Sequence, residues 1–339
     1  MKGKYLLNIE WKEVLLSVLF CFMPLYVSGN GSATIVSNEK IWSGDNYAAF
    51  TSLVYHNGYF YCAFRNANKH YDTSGADCGS IVLIRSVDAN KWDLFIQFSE
   101  NNYDLRDPKL SVTPEGELML LTEKVQYDRG RVLSRQSCYS FIVYNDDYQV
   151  LTPINFKSSP HRNWLWNIEW IDDCAYGFTY IPYFCFVKAE DGINFDVVQR
   201  INLDNTPTEA SLVKLNKKEF VSVVRSKSNA LLGRYHLKSN KWEWKDLGLM
   251  LECPELINIK KEIYVLGRSY TDKNKKQTSI FRLDEKSMTL TYILSIDGGR
   301  DCAYPGAVFR NGFLYVSYYS GNGENSDIYL AKISIANKV

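Results

Sequence analysis

The chain has 339 residues and 46% hydrophobic content, enough for a sizeable core as one large all-β domain or two smaller ones. Lys plus Arg total 39 against 38 Asp plus Glu, a formal net charge of +1, so no overall positive field points to nucleic acid or an anionic membrane surface. The first segment has lysines, an apolar run from Val14 to Val27 and then the small residues Ser28, Gly29, Ser32 and Ala33. That order predicts a secretory signal peptide over 1–33, cleaved after Gly29 or Ala33, because the run falls short of the roughly 20 residues that a bilayer span needs. An uncleaved N-terminal anchor is the alternative, and Phe20 before Cys21 does not suit lipid attachment. Export to a secreted or periplasmic location leaves Cys62, Cys78, Cys138, Cys174, Cys185, Cys253 and Cys302. None forms a CxxC pair or a zinc-type cluster, so no metal and no cofactor is expected. Scattered in apolar runs such as "YFYCAF", they read as small buried hydrophobes, with Cys174–Cys185 a conceivable disulfide.

Beyond the leader one pattern recurs: "SLVYHNGYFYCAFR" (52–65), "KLSVTPEGELMLLTEK" (109–124), "IEWIDDCAYGFTY" (168–180), "SLVKLNKKEFVSVVR" (211–225), "ELINIKKEIYVLGR" (255–268) and "YPGAVFRNGFLYVSYYS" (304–320). Each is an apolar strand, a polar turn and a second apolar strand, the signature of a hairpin, repeated at intervals of about 45 to 60 residues. Between them lie "GSIVLIRS", "CYSFIVYN", "YFCFVKAE", "ALLGRYHL", "TSIFRLDE" and "SDIYLAKIS". Roughly four strands per unit is the content of a propeller blade. The expected fold is therefore all-β, a single six-bladed β-propeller over 34–339 with four-stranded antiparallel blades. The run "ATIVSNEKIWSG" should join the chain ends in the last blade and so remove an exposed edge.

Polar residues at one phase of such repeats should meet at a mouth of the central channel. Arg65, Arg225 and Arg268 each close a hairpin's second strand, a cluster suited to a carboxylate or sulfate. Glu209 and Glu255 open the hairpins that end in Arg225 and Arg268, and could equally neutralise those arginines. Asp301 and Tyr304 stand at the last hairpin's entrance, where Pro305 should hold Tyr304 extended and Gly306 should allow a close backbone approach. Arg106 and Asp107 precede the second hairpin, Asp107 also being a plausible turn cap. His70 follows the first, as a general base or a sugar hydrogen-bonder. Trp164 lies just before the third, where an indole either packs in the core or stacks on a sugar.

In these residues the chain resembles the sialidase superfamily, six-bladed propellers of Asp-box type. "EASLVKLNKKEFVSVVR" is similar to that family's glutamate, hairpin and arginine segment, and "YPGAVFRNGFLYVSYY" to its nucleophile hairpin. Ser86, Asp88 and Trp92 resemble a degenerate Asp box, and "AEDGINF" a weaker one. The likeness is to an uncharacterised branch of secreted bacterial propellers, since Phe50 and Thr51 stand where sialidases carry their first arginine. The resemblance implies Tyr304 as nucleophile, Glu209 as its base and Asp77 as acid, with Arg225 and Arg268 holding the substrate's acidic group. A tyrosine nucleophile avoids the repulsion that a carboxylate would meet from an acidic sugar. The implied function is an exo-acting glycoside hydrolase removing a terminal, acidic sugar from an extracellular glycan, as a monomer. The alternatives are a glycan-binding propeller without turnover, and a polysaccharide lyase or glycosidase for another sugar.

Overall fold

The computed structural model describes residues 33–335 except 45, 71–73, 75–77, 144–149, 158–162 and 272; apart from Ala33, the expected leader lies outside the described residues. Every regular element among them is a strand, as expected. The hairpins read from the sequence are Tyr47–His56 with Tyr59–Ala67, Asp104–Val112 with Leu118–Asp128, Leu165–Ile171 with Cys174–Thr179, Ala210–Asn216 with Glu219–Val224, Glu252–Ile259 with Glu262–Tyr270, and Asp301–Arg310 with Phe313–Gly321. Several turn through two residues at positive φ, as in Asn57 (45°) with Gly58 (87°) and Asn311 (51°) with Gly312 (83°). That backbone matches the right-handed twist of the strands on either side, which is why Asn-Gly marks these turns.

The strands form one eight-stranded, one five-stranded and three four-stranded sheets among the described residues. The eight-stranded sheet is two antiparallel groups joined by a parallel pairing, Tyr47 with Ser326. Ala33–Trp42 pairs antiparallel with Ser326–Ile335, so the two ends of the described chain meet in one sheet. The first strands of successive groups touch in chain order, and Asp301–Arg310 returns to Tyr47–His56. The result is a propeller arrangement. Apolar side chains of adjacent groups fill the wedges between them, with Phe60 and Phe64 against Tyr315 and Leu330 in one, and Phe178, Phe186 and Phe220 with Tyr235 in another. Phe186 is fully buried, its ring 4.9 Å from Tyr235 and 5.2 Å from Trp242. Burying such a side chain stabilises the fold by about 1.5–3 kcal/mol. At the periphery Asp88 Oδ1 accepts from the Asn90 and Lys91 amides, and Asp191 Oδ1 from those of Ile193 and Asn194, each closing a turn.

What positions the mouth of the ring is a set of β-bulges. The first strands slip register between Ala49 and Ser52, Arg106 and Lys109, Leu165 and Ile168, Glu252 and Glu255, and Ala303 and Gly306. In four of them the bulge holds a side-chain-bearing residue in the left-handed region: Phe50 (φ 63°), Asp107 (46°), Cys253 (45°) and Tyr304 (51°). Such bulges leave a residue out of the ladder and re-aim its side chain. Tyr304 is therefore not extended, contrary to the expectation from Pro305. Tertiary contacts outweigh that preference: Thr51 Oγ1 donates to the Tyr304 carbonyl at 2.7 Å, and the Tyr304 amide donates to Cys253 Sγ at 3.3 Å. Gly306 does allow a close approach, since a Cβ there would lie 2.3 Å from the Leu53 nitrogen.

Candidate active site

Tyr304 enters the mouth from its bulge, with its ring 4.6 Å from Phe50 and 5.5 Å from Trp166. Its hydroxyl donates to Glu209 Oε1 at 2.7 Å. The same oxygen accepts from Arg225 Nη1 at 2.6 Å, while Glu209 Oε2 accepts from the Cys253 amide at 2.6 Å. Glu209 is buried at the head of its strand, so these donors fix its carboxylate. Arg225 Nη2 continues to Glu252 Oε1 at 2.6 Å, and Glu252 Oε2 accepts from Arg268 Nη1 at 3.1 Å and from the Tyr270 hydroxyl at 2.6 Å. Arg268 gives its other donors to the Cys302 carbonyl, the Tyr319 hydroxyl and Asp301. Asp301 also accepts from Lys276 Nζ at 2.8 Å and from Tyr47 at 2.5 Å, and the Tyr47 oxygen lies 2.7 Å from His70 Nδ1. In front of this network is a cavity of about 880 Å³ lined by His70, Arg225, Arg268, Asp301 and Tyr304 among others. That volume suits a small ligand.

Burial, together with the negative charges of Glu209 and Asp107, pushes the Tyr304 hydroxyl well above its ordinary value. The resting tyrosine is therefore protonated and must pass its proton on to become nucleophilic. Burial also raises Asp107 to about 6, against the pull of Arg106 and with a push from Glu209. For Asp301, burial is outweighed by hydrogen bonds from His70, Lys276 and Tyr47 and by the charge of Arg268, and its carboxyl sits well below the usual range. Burial lowers His70; the Asp301 hydrogen bond opposes this and the Arg106 charge adds to it. Among the described residues no group of three or more His, Cys, Asp or Glu side chains is placed to hold a metal.

Of the residues expected from the sequence, Tyr304, Glu209, Arg225, Arg268, Asp301 and His70 come together at this mouth. Asp77 lies outside the described residues, though its described neighbours are tied to one cluster. The His70 carbonyl accepts from Arg106 Nη1 at 2.9 Å, and the Gly79 amide donates to Asp104 Oδ1 at 3.0 Å. Arg65 is fully buried and bonds Asp104 at 2.8 Å, and Arg106 bonds the other oxygen of Asp104 at 2.9 Å, so both brace the floor instead of lining the cavity. Asp107 is buried as well, and the charges of Arg106, Arg65 and Glu209 all act on it. Trp164 is buried, its ring 5.6 Å from Tyr180 and 5.1 Å from the Arg135 guanidinium. Glu255 is carried past the bulge to a cavity at the other end of the channel, where it faces Lys109 and Glu169. Its expected place beside the arginines belongs to Glu252. Sequence reasoning missed Glu252, Tyr47, Tyr270, Lys276 and Tyr319, which carry no motif of their own. The disulfide is not formed: Cys174 and Cys185 are both free thiols.

No family model and no curated protein matches the sequence. Solved structures do match in fold. A protein of unknown function from Dyadobacter fermentans aligns with TM-score 0.75 and 15% identity over 90% of this chain and 99% of its own. Trypanosoma rangeli sialidase in complex with 2,3-difluorosialic acid, a covalent intermediate, aligns with TM-score 0.65 and 9% identity over 87% of this chain. The alignment spans only 59% of that sialidase. NanB in complex with Optactamide aligns with TM-score 0.62 and 10% identity, over 88% of this chain and 70% of its own. At these identities the likeness establishes a sialidase-like propeller fold.

Proposed function

We propose that this protein is a secreted or periplasmic, six-bladed, sialidase-like propeller acting as an exo-glycoside hydrolase on a terminal sugar of an extracellular glycan. The six-blade reading is supported by the first strands, which touch in a closed circuit, and by the division of the eight-stranded sheet into two antiparallel groups. The activity rests on one observation above all: the Tyr304 hydroxyl lies 2.7 Å from Glu209 Oε1 at the edge of a ligand-sized cavity. In the proposed reaction the Tyr304 oxygen attacks the anomeric carbon as Glu209 takes its proton, and Asp77 protonates the leaving oxygen as the glycosidic bond breaks. Water then attacks the glycosyl–tyrosine, giving a proton to Asp77, while the departing Tyr304 oxygen recovers its proton from Glu209. Arg225 steadies Glu209 and adds positive charge near the developing phenolate.

The test is release of sugar from a panel of terminal-glycoside substrates by the protein, by Tyr304→Phe and by Asp77→Asn. Wild type should release one sugar, and Tyr304→Phe should lose about a thousandfold or more of that rate. If wild type releases nothing, or the variants keep pace with it, the assignment fails. Glycan binding without product would indicate a lectin-like propeller, and an unsaturated product absorbing in the ultraviolet would indicate a lyase.

A further inference from the structure

We infer that the wall formed by Arg225, Arg268 and Lys276 receives an uncharged, hydroxyl-bearing part of the sugar and not a carboxylate. For its catalytic arm the inference rests on the hydrolase reading, and it reverses the acidic substrate expected from the sequence. An arginine recognises a carboxylate by presenting two parallel N–H donors and a charge that nothing else has claimed. Arg268 meets neither condition: it is 7% exposed, with Nε on the Cys302 carbonyl, Nη1 on Glu252, and Nη2 on Tyr319 and Asp301. Arg225 turns one Nη to Glu209 and the other to Glu252. Lys276 is held by Asp301 at 2.8 Å.

Three cations thus face three carboxylates, Glu209, Glu252 and Asp301, and the charge of this wall cancels. The two further charged residues lining the cavity, Arg300 and Glu324, are of opposite sign. Among the described residues no unclaimed cation stands beside Phe50, on the other side of Tyr304. Phe50 packs against Tyr304 there, and Arg106, stacked on the Phe50 ring at 5.1 Å, spends an Nη on both Asp104 and the His70 carbonyl. An anion entering along this wall would meet the Asp301 carboxylate, with Glu209 and Glu252 buried behind the arginines, and each of the wall's three cations already holds a carboxylate. What the wall does offer is mixed: the outward N–H groups of Arg225, whose side chain is 32% exposed, the remaining protons of Lys276, the lone pairs of Asp301, and the Asn322 amide. A hydroxyl both donates and accepts and can use such a set, whereas a carboxylate only accepts.

Matched substrates test this directly: aryl glucosides against aryl glucuronides, aryl galactosides against galacturonides, and an aryl sialoside methyl ester against its free acid. The readout is the ratio of kcat/KM for the uncharged member over the acid, in wild type, Glu252→Gln and Asp301→Asn. A ratio taken within one variant cancels any loss of folded protein. Wild type should favour the uncharged member at least tenfold, and each variant, by releasing cationic charge, should move the ratio towards the acid by at least tenfold. A wild-type ratio below ten, or a ratio that neither variant shifts, overturns the inference. A Tyr304-dependent preference for an acid sinks the inference and leaves the hydrolase reading standing. If nothing is hydrolysed, calorimetric binding of the same pairs supplies the ratio: selective binding of the uncharged member keeps this inference while the hydrolase falls, and binding of neither member overturns both.

Discussion

Replacing Glu209 by alanine should cost far more stability than replacing Tyr304 by phenylalanine, although both should abolish turnover. Three donors converge on Glu209: the Tyr304 hydroxyl at 2.7 Å, Arg225 Nη1 at 2.6 Å and the Cys253 amide at 2.6 Å. Glu209 is 4% exposed, so solvent does not readily take over its role. Arg225 keeps Glu252 and reaches water, so its share of the loss is small. The Cys253 amide and the Tyr304 hydroxyl become unsatisfied donors, at about 1–3 kcal/mol each, for a sum of about 4 kcal/mol. A domain of roughly 300 ordered residues unfolds with an entropy of about 0.6 kcal/mol per kelvin, so Tm should fall by about 6 °C. Tyr304→Phe leaves Glu209 with its other two donors and should cost about 1 kcal/mol, or about 2 °C. In the double variant the hydroxyl that Glu209→Ala orphans no longer exists, so the two losses should fall short of additivity by about 1–3 kcal/mol. Scanning calorimetry on the four proteins at pH 7 measures all of these. Equal losses in the two single variants, or strict additivity in the double, would mean that the resting protein has no Tyr304–Glu209 bond, and the nucleophile assignment would lose its base.

Two further outcomes follow from the buried groups. Burial raises Asp107 from 3.8 to about 6, so the folded chain binds this proton more tightly than the unfolded chain does; the resulting stability is full below about pH 4 and is lost as pH rises through about 6. Asp107→Asn stays uncharged throughout, so between pH 4 and pH 7 its stability relative to wild type should improve by about 3 kcal/mol in urea titrations, and a pH-independent difference would contradict this. Burial also pushes the Cys62 and Cys253 thiols up to about 12, and of the described cysteines only Cys78 and Cys174 are partly exposed. An aromatic disulfide reagent should therefore label Cys78 and Cys174 first and the other described cysteines only after denaturation; early labelling of Cys253 would show that the floor of the mouth is open.

The hairpins were legible because alternation of period two and Asn-Gly turns are local facts, and because closing a ring needs only the same unit repeated. The site was legible where one residue at a hairpin's end meets another, as Glu209 meets Tyr304. It was not legible where a bulge changes the count. Counting phase along regular strands assigns Glu255 to the mouth. The register slip between Glu252 and Glu255 instead leaves Glu252 among the arginines and carries Glu255 to the other cavity. Arg65 shares its phase with Arg225 and Arg268, yet the fully buried pair with Asp104 withdraws it from the cavity. One signal for the bulges does lie in the sequence. Asp107-Pro108, Cys253-Pro254 and Tyr304-Pro305 occur at one phase of three repeats, and each residue before the proline is left-handed. Proline has no N–H to give a neighbouring strand and is tolerated in a sheet where a bulge interrupts the ladder. The same proline normally drives its predecessor extended, so the left-handed conformation costs energy that surrounding contacts must offset. Around Tyr304 those contacts are Thr51, Cys253, Phe50 and Glu209, drawn from three other first strands of the ring. The tyrosine's aim is therefore a property of the closed ring, and no single hairpin sequence could have disclosed it.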